Sequence, residues 1–131
     1  MKDYIIQCIC AASGGLLAFL YGDMPPAFFA LVALICLDFA TGLSHAWVEK
    51  KLNSRVCGRG ILKKIYILTL VAVGHLVDVC IGKSVCMNVV IFFYIANEAI
   101  SIVENAGRCG LPVPEKLAEV LEQLKEGGHG D

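Results

Sequence analysis

Three carboxylates, Asp38, Asp78 and Glu98, each lie inside a long apolar stretch of a chain of 131 residues. An acid near the middle of a hydrocarbon-embedded helix costs about 2.5–3.5 kcal/mol or more unless other helices, other copies or water shield it. Hydrocarbon is the expected solvent here. Apolar residues make up 57% of the chain, charged residues 18%, and the mean hydropathy is +0.71, against about 45–50% and about 25% in soluble domains. These values imply an all-α integral membrane protein, expected to be homo-oligomeric, with little chain left for a soluble catalytic module.

Four spans are expected, at about 4–21, 27–48, 65–81 and 85–103, since about 20 residues at 1.5 Å each cross about 30 Å of hydrocarbon. The first is slightly short, so a three-span arrangement with that segment on the surface stays open. Gly22, Asp23, Pro25 and Pro26 separate the first two segments, and Gly82, Lys83 and Ser84 make a tight turn between the last two. Residues 1–106 read as the transmembrane unit and 107–131 as a cytoplasmic amphipathic tail.

Lys50, Lys51, Arg55, Arg59, Lys63 and Lys64 crowd the connection 49–64, opposed there only by Glu49. Short basic connections stay on the cytoplasmic side. That rule places both termini in the cytoplasm and the turns near Asp23 and Lys83 outside, in a bacterial inner membrane. The basic residues would also meet anionic lipid headgroups. A cleaved signal peptide is not expected, because Asp3 weakens the positive start and no small-residue cleavage site follows the run.

Small residues mark the first segment: Ala11, Gly14, Gly15, Ala18 and Gly22 share a stripe suited to close helix approach, although membrane helices are rich in such residues generally. Polar residues mark the other three. Asp38, Thr41, Gly42 and His45 fall on one face of the second helix, His75 and Asp78 on one face of the third, and Asn97, Ser101 and Glu104 on one face of the fourth, beside Glu98. Such stripes either bond to one another inside a compact bundle or line an aqueous lumen built from several copies; the second is the preferred expectation.

Other chemistry finds little support. Seven cysteines, at 8, 10, 36, 57, 80, 86 and 109, include no pair of CxxC motifs and suit small apolar filling. His75 with Asp78 is a weak metal or proton-relay motif. No nucleophile elbow, zinc-protease motif or phosphate-cradling loop occurs. No catalytic residue, cofactor, metal or nucleic acid is therefore expected. Past Gly107, Gly110, Pro112 and Pro114, a short helix carries Leu117, Val120, Leu121 and Leu124 on one face and Glu115, Glu119, Glu122 and Glu126 elsewhere, and should end at Gly127, Gly128 and Gly130. Its acidity favours packing against other copies or the basic connection over anionic lipid.

The run Asp38-Phe39-Ala40-Thr41-Gly42, then Ser54, then Arg59-Gly60-Ile61-Leu62-Lys63-Lys64, then Asp78, resembles the bacteriophage holin family that includes the toxin-secretion holins of clostridia. Asn97-Glu98-Ala99-Ile100-Ser101-Ile102-Val103-Glu104-Asn105, followed by Gly110, Pro112, Pro114 and Leu117, continues the likeness, which covers roughly 37–121. The resemblance implies a small phage or prophage membrane protein that accumulates, oligomerises and permeabilises the membrane. An endolysin, or a large toxin, then escapes. It supplies no catalytic residues and makes Asp38, Thr41, Asp78, Asn97, Glu98, Ser101, Glu104 and Asn105 the candidate assembly or pore-lining groups, with an antiholin as a further candidate partner. The cysteines are not part of the family pattern. A small ion or proton channel or transporter, and a regulator of the antiholin type, are the alternatives.

Overall fold

The computed structural model describes residues 1–127 and contains five helices among them, with no strand. They are α1 (Lys2–Tyr21), α2 (Pro26–Val48), α3 (Ser54–Ile81), α4 (Cys86–Arg108) and α5 (Glu115–Gly127). The last four residues of the expected tail, with the glycines at 128 and 130, lie outside the described part. Helices α1 to α4 are each long and apolar enough to cross a membrane. The protein is a multi-pass, all-helical membrane protein.

Each boundary has a local cause. Pro26 at the first position of α2 gives up an N–H that has no intrahelical partner anyway. The Asn53 side chain accepts the Val56 N–H at 2.9 Å and starts α3. Gly82 ends α3 in the left-handed region (φ 67°), where a Cβ would clash with the backbone. That cap at Asn53 changes one expectation. The basic connection 49–64 is only about as long as residues 49–53, and its remainder forms the first turns of α3, because a capping side chain and nine further helix-competent residues precede the apolar run. Helix α4 likewise continues past 103 to Arg108.

The core is a three-helix packing of α2, α3 and α4. Leu31 and Ile35 from α2, Ile67 and Val71 from α3, and Met87 and Ile91 from α4 are buried together, with Phe28 and Tyr21 closing one end. Gly74 lets α3 approach α4 closely, since a Cβ there would stand 3.0 Å from the Met87 Cα. Helix α1 stands apart. Every residue from Met1 to Phe19 is exposed, and the buried residue of α1 is Tyr21, whose hydroxyl donates to the Leu68 carbonyl of α3 at 3.1 Å and whose ring lies 4.9 Å from that of Phe28 of α2. Large exposed side chains such as Ile9, Phe19, Phe29, Val79 and Phe92 give the outside of the bundle the apolar surface that lipid requires.

Candidate functional site: a polar cluster inside the bundle

The buried face of α3 repeats at i, i+3, i+7, i+10 and i+14: Lys64, Ile67, Val71, Gly74 and Asp78. Only the two ends of that seam are polar. Lys64 lies about 26 Å from Ile81 along the helix axis, and Asp38 and Glu98 lie about 18 Å from the starts of α2 and α4, at 1.5 Å per residue. The long stem of Lys64 bridges the offset, so its ammonium reaches two carboxylates on two other helices.

Lys64 Nζ donates to Asp38 Oδ2 and to Glu98 Oε2, joining α3 to α2 and α4 at once. Asn105 Nδ2 then donates to Asp38 Oδ1 at 3.3 Å and to Thr41 Oγ1 at 2.9 Å, adding an α2–α4 link about two turns beyond Glu98 on α4. The Thr41 hydroxyl in turn donates to the carbonyls of Leu37 and Asp38, at 2.9 and 3.1 Å. Asp38, Glu98 and Asn105 are buried, and among the described residues no buried side-chain polar atom lacks a hydrogen-bond partner. A network with every member satisfied is the one form in which such groups are tolerated at low dielectric.

Two carboxylates face one ammonium, so the cluster is one negative charge in excess when all three are ionised. The nearest further cations are at its rim. A cavity of about 390 Å³ is lined by Asp38, Gly42, Lys63, Lys64, Asn105 and Arg108, and a neighbouring one of about 410 Å³ by Asp38, Lys64, Asn97, Glu98, Ser101 and Tyr94 among others. Thr41, Asn97, Ser101 and Asn105 thus gather with Asp38 and Glu98, so that the stripes of α2 and α4 meet in one polar centre.

Other candidates lie elsewhere. Asp78 is buried at the opposite end, where its oxygens accept the backbone N–H groups of Val85, Cys86 and Met87 at 3.2, 2.8 and 2.9 Å. It caps α4 from a neighbouring helix, satisfying three of the N–H groups that a helix start leaves open. His75 packs against Gly22 and lines, with Asp78, a third cavity of about 450 Å³ at that end. His45 pairs with Glu49 at 3.3 Å, and Glu104 is exposed. Glu49 is held below the usual glutamate range, first by a hydrogen bond from Lys51 and then by the charges of His45 and Lys51. The remaining basic residues, Lys50, Lys51, Arg55, Arg59 and Lys63, are exposed. Around Gly14 and Gly15 nothing comes within 4 Å of an added Cβ, so neither packs on another helix of the same chain, and Ala18 is also exposed. Gly22 does make a close approach, to His75.

Lys64, expected with the other cations at the membrane surface, instead turns its ammonium into the bundle. The seven-residue spacing from Lys64 to Val71 and on to Asp78 is the signal that sets it on the buried face. Among the described residues no group of three His, Cys, Asp or Glu side chains is arranged to hold a metal ion, and all seven cysteines are free.

Known proteins are similar to this chain over most of its length. The model of the bacteriophage holin family matches residues 15–126, a stretch that holds every member of the cluster. An uncharacterized protein of Halalkalibacterium halodurans is 36% identical over 129 residues, covering 94% of this chain and 96% of the relative. An uncharacterized protein of Listeria innocua is 39% identical over 120 residues, covering 91% and 86%. The uncharacterized 14.9 kDa protein in the nagH 3' region of Clostridium perfringens is 36% identical over 113 residues, covering 85% and 86%. No solved structure matches.

Proposed function

Because the chain belongs to the bacteriophage holin family, we propose that it is a phage or prophage holin of the bacterial inner membrane, with both termini in the cytoplasm. It collects there as a protomer whose intramembrane polar groups are satisfied internally. It then assembles with other copies into a lesion through which an endolysin, or a large toxin, leaves the cell.

The observation that carries this reading is the closure of α2, α3 and α4 on Lys64. The same groups that lock one protomer would line water once three helices part, and the two arrangements need differ by only a few kcal/mol. The membrane potential acts on such charges, at about 2.3 kcal/mol per elementary charge moved across 100 mV. The basic start of α3 supports the orientation, because positive residues beside a span resist translocation.

Regulated expression in bacteria tests the proposal, with membrane potential and escape of a cytoplasmic enzyme followed together. Abrupt loss of both is expected. Depolarisation with the enzyme retained would replace the holin by a small ion channel, and harmless accumulation would point to a regulator of the antiholin type.

A further inference from the structure

Two charged stripes near the same end of the bundle are unmatched within one chain. On α5, Glu115, Glu119, Glu122 and Glu126 recur at i, i+4, i+7 and i+11 and so share one face, opposite Leu117, Val120, Leu121 and Leu124. All four glutamates are exposed. On α3, Arg55, Arg59 and Lys63 recur every four residues and are exposed; Arg55 and Arg59 lie off the side that Lys64 buries, and Lys63 stands at the rim of its cavity. Helix α5 contacts α4 and no other helix. Among the described residues the ion pairs are those of Glu49 with His45 and Lys51 and those of Lys64 with Asp38 and Glu98, so neither stripe is neutralised at home.

We propose that the acidic stripe of α5 docks on the basic stripe of α3 in a second copy of this chain. The basic stripe advances by one charge about every 6 Å and the acidic stripe by about 4.5–6 Å, three or four residues of helical rise, a mismatch that long side chains absorb, so three ion pairs can form. Each copy owns one stripe of each sign. The contact is therefore self-complementary and can run from copy to copy around a ring or along a row. It sits in water at the membrane surface, where like stripes repel and unlike stripes set partner orientation. The segment between α4 and α5, with Gly110 at φ 83° and prolines at 112 and 114, breaks the helix and starts α5 as a separate element beside α4.

The test uses full-length protein carrying two different affinity tags, extracted from bacterial membranes, with co-purification as the readout. That readout is independent of permeabilisation, so its failure and a failure of the holin reading are told apart. One variant is Arg55→Glu with Arg59→Glu, which leaves Lys50, Lys51, Lys63 and Lys64 to hold the topology. The other is Glu119→Lys with Glu122→Lys and Glu126→Lys. Each variant alone should associate with itself about tenfold less than the native chain, the sum of a few exposed pairs turned repulsive. Mixing the two variants should restore association, because each then offers the stripe that the other needs.

Native association should also weaken about tenfold between roughly 50 and 500 mM salt, as exposed charges are screened. Failure of the mixed variants to recover, or native association indifferent to salt, overturns the proposal. Weakening in the α3 variant with native-like association of the α5 variant overturns it too, and assigns the basic stripe to anionic lipid headgroups instead.

Discussion

Glu98, the most deeply buried acid of the bundle at 2% exposure, accepts its hydrogen bond from Lys64, a residue thirty-four positions earlier in the chain. The pair ties α4 to the third helix at a depth where neither charge is tolerated alone. Lys64→Met leaves Glu98 and Asp38 facing each other without a cation. Removing one partner of a buried pair costs about 3–5 kcal/mol. The variant should unfold earlier in mild detergent, or lyse cells ahead of the native protein. Combining it with Asp38→Asn and Glu98→Gln should recover most of the loss, since a neutral cluster no longer strands a charge. A triple variant as unstable as Lys64→Met would mean that packing, not charge, holds this site.

Asp78 belongs to the opposite end and should behave differently. Its replacement by Ala uncovers three N–H groups at the start of α4, and loss of a helix cap costs about 0.5–2 kcal/mol. Hydrogen exchange at Cys86 and Met87 should accelerate while the Lys64 cluster stays protected. Equal acceleration at both ends would show that the two sites are coupled.

Gly22 joins α1 to the bundle with φ 61°, and a Cβ placed there would lie 2.4 Å from His75 Cε1. Gly22→Ala therefore meets both a steric and a conformational penalty, the latter about 1–3 kcal/mol. Adding His75→Ala should recover only the steric share. Full recovery in the double variant, read by thermal unfolding in detergent, would show that the backbone tolerates the left-handed turn without glycine.

Gly14→Leu and Gly15→Leu fill a face that nothing in the chain covers. Protomer stability should not fall, and should rise by up to about 1 kcal/mol per site, because glycine is the poorer helix former. If the small stripe serves contact between copies, cross-linked oligomers should fall in abundance. Native oligomer yield would assign that face to lipid.

Helix number and placement were legible because span length and hydropathy are set by bilayer thickness, and the Pro25-Pro26 and Gly82 breaks are backbone chemistry. The gathering of Asp38, Thr41, Glu98 and Asn105 was partly legible, since each falls on a polar stripe. What the stripes could not show was the cation they close on, because a lysine beside five other basic residues reads as surface until the register of α3 is fixed from Asn53. Asp78 was misleading for a related reason. Its sequence neighbours suggest a side chain facing a lumen or His75, whereas its partners are backbone N–H groups, which no sequence pattern distinguishes.

The tether at Gly22 has a mechanical consequence. An arm exposed from Met1 to Phe19 forfeits almost no native packing when it swings, so the protomer imposes only a weak preference on where it rests. Its resting place is then decided by the surroundings, and how often it meets another protomer rather than lipid rises with the number of molecules per unit of membrane area. Crowding, not a ligand, is the variable to which such an arm responds.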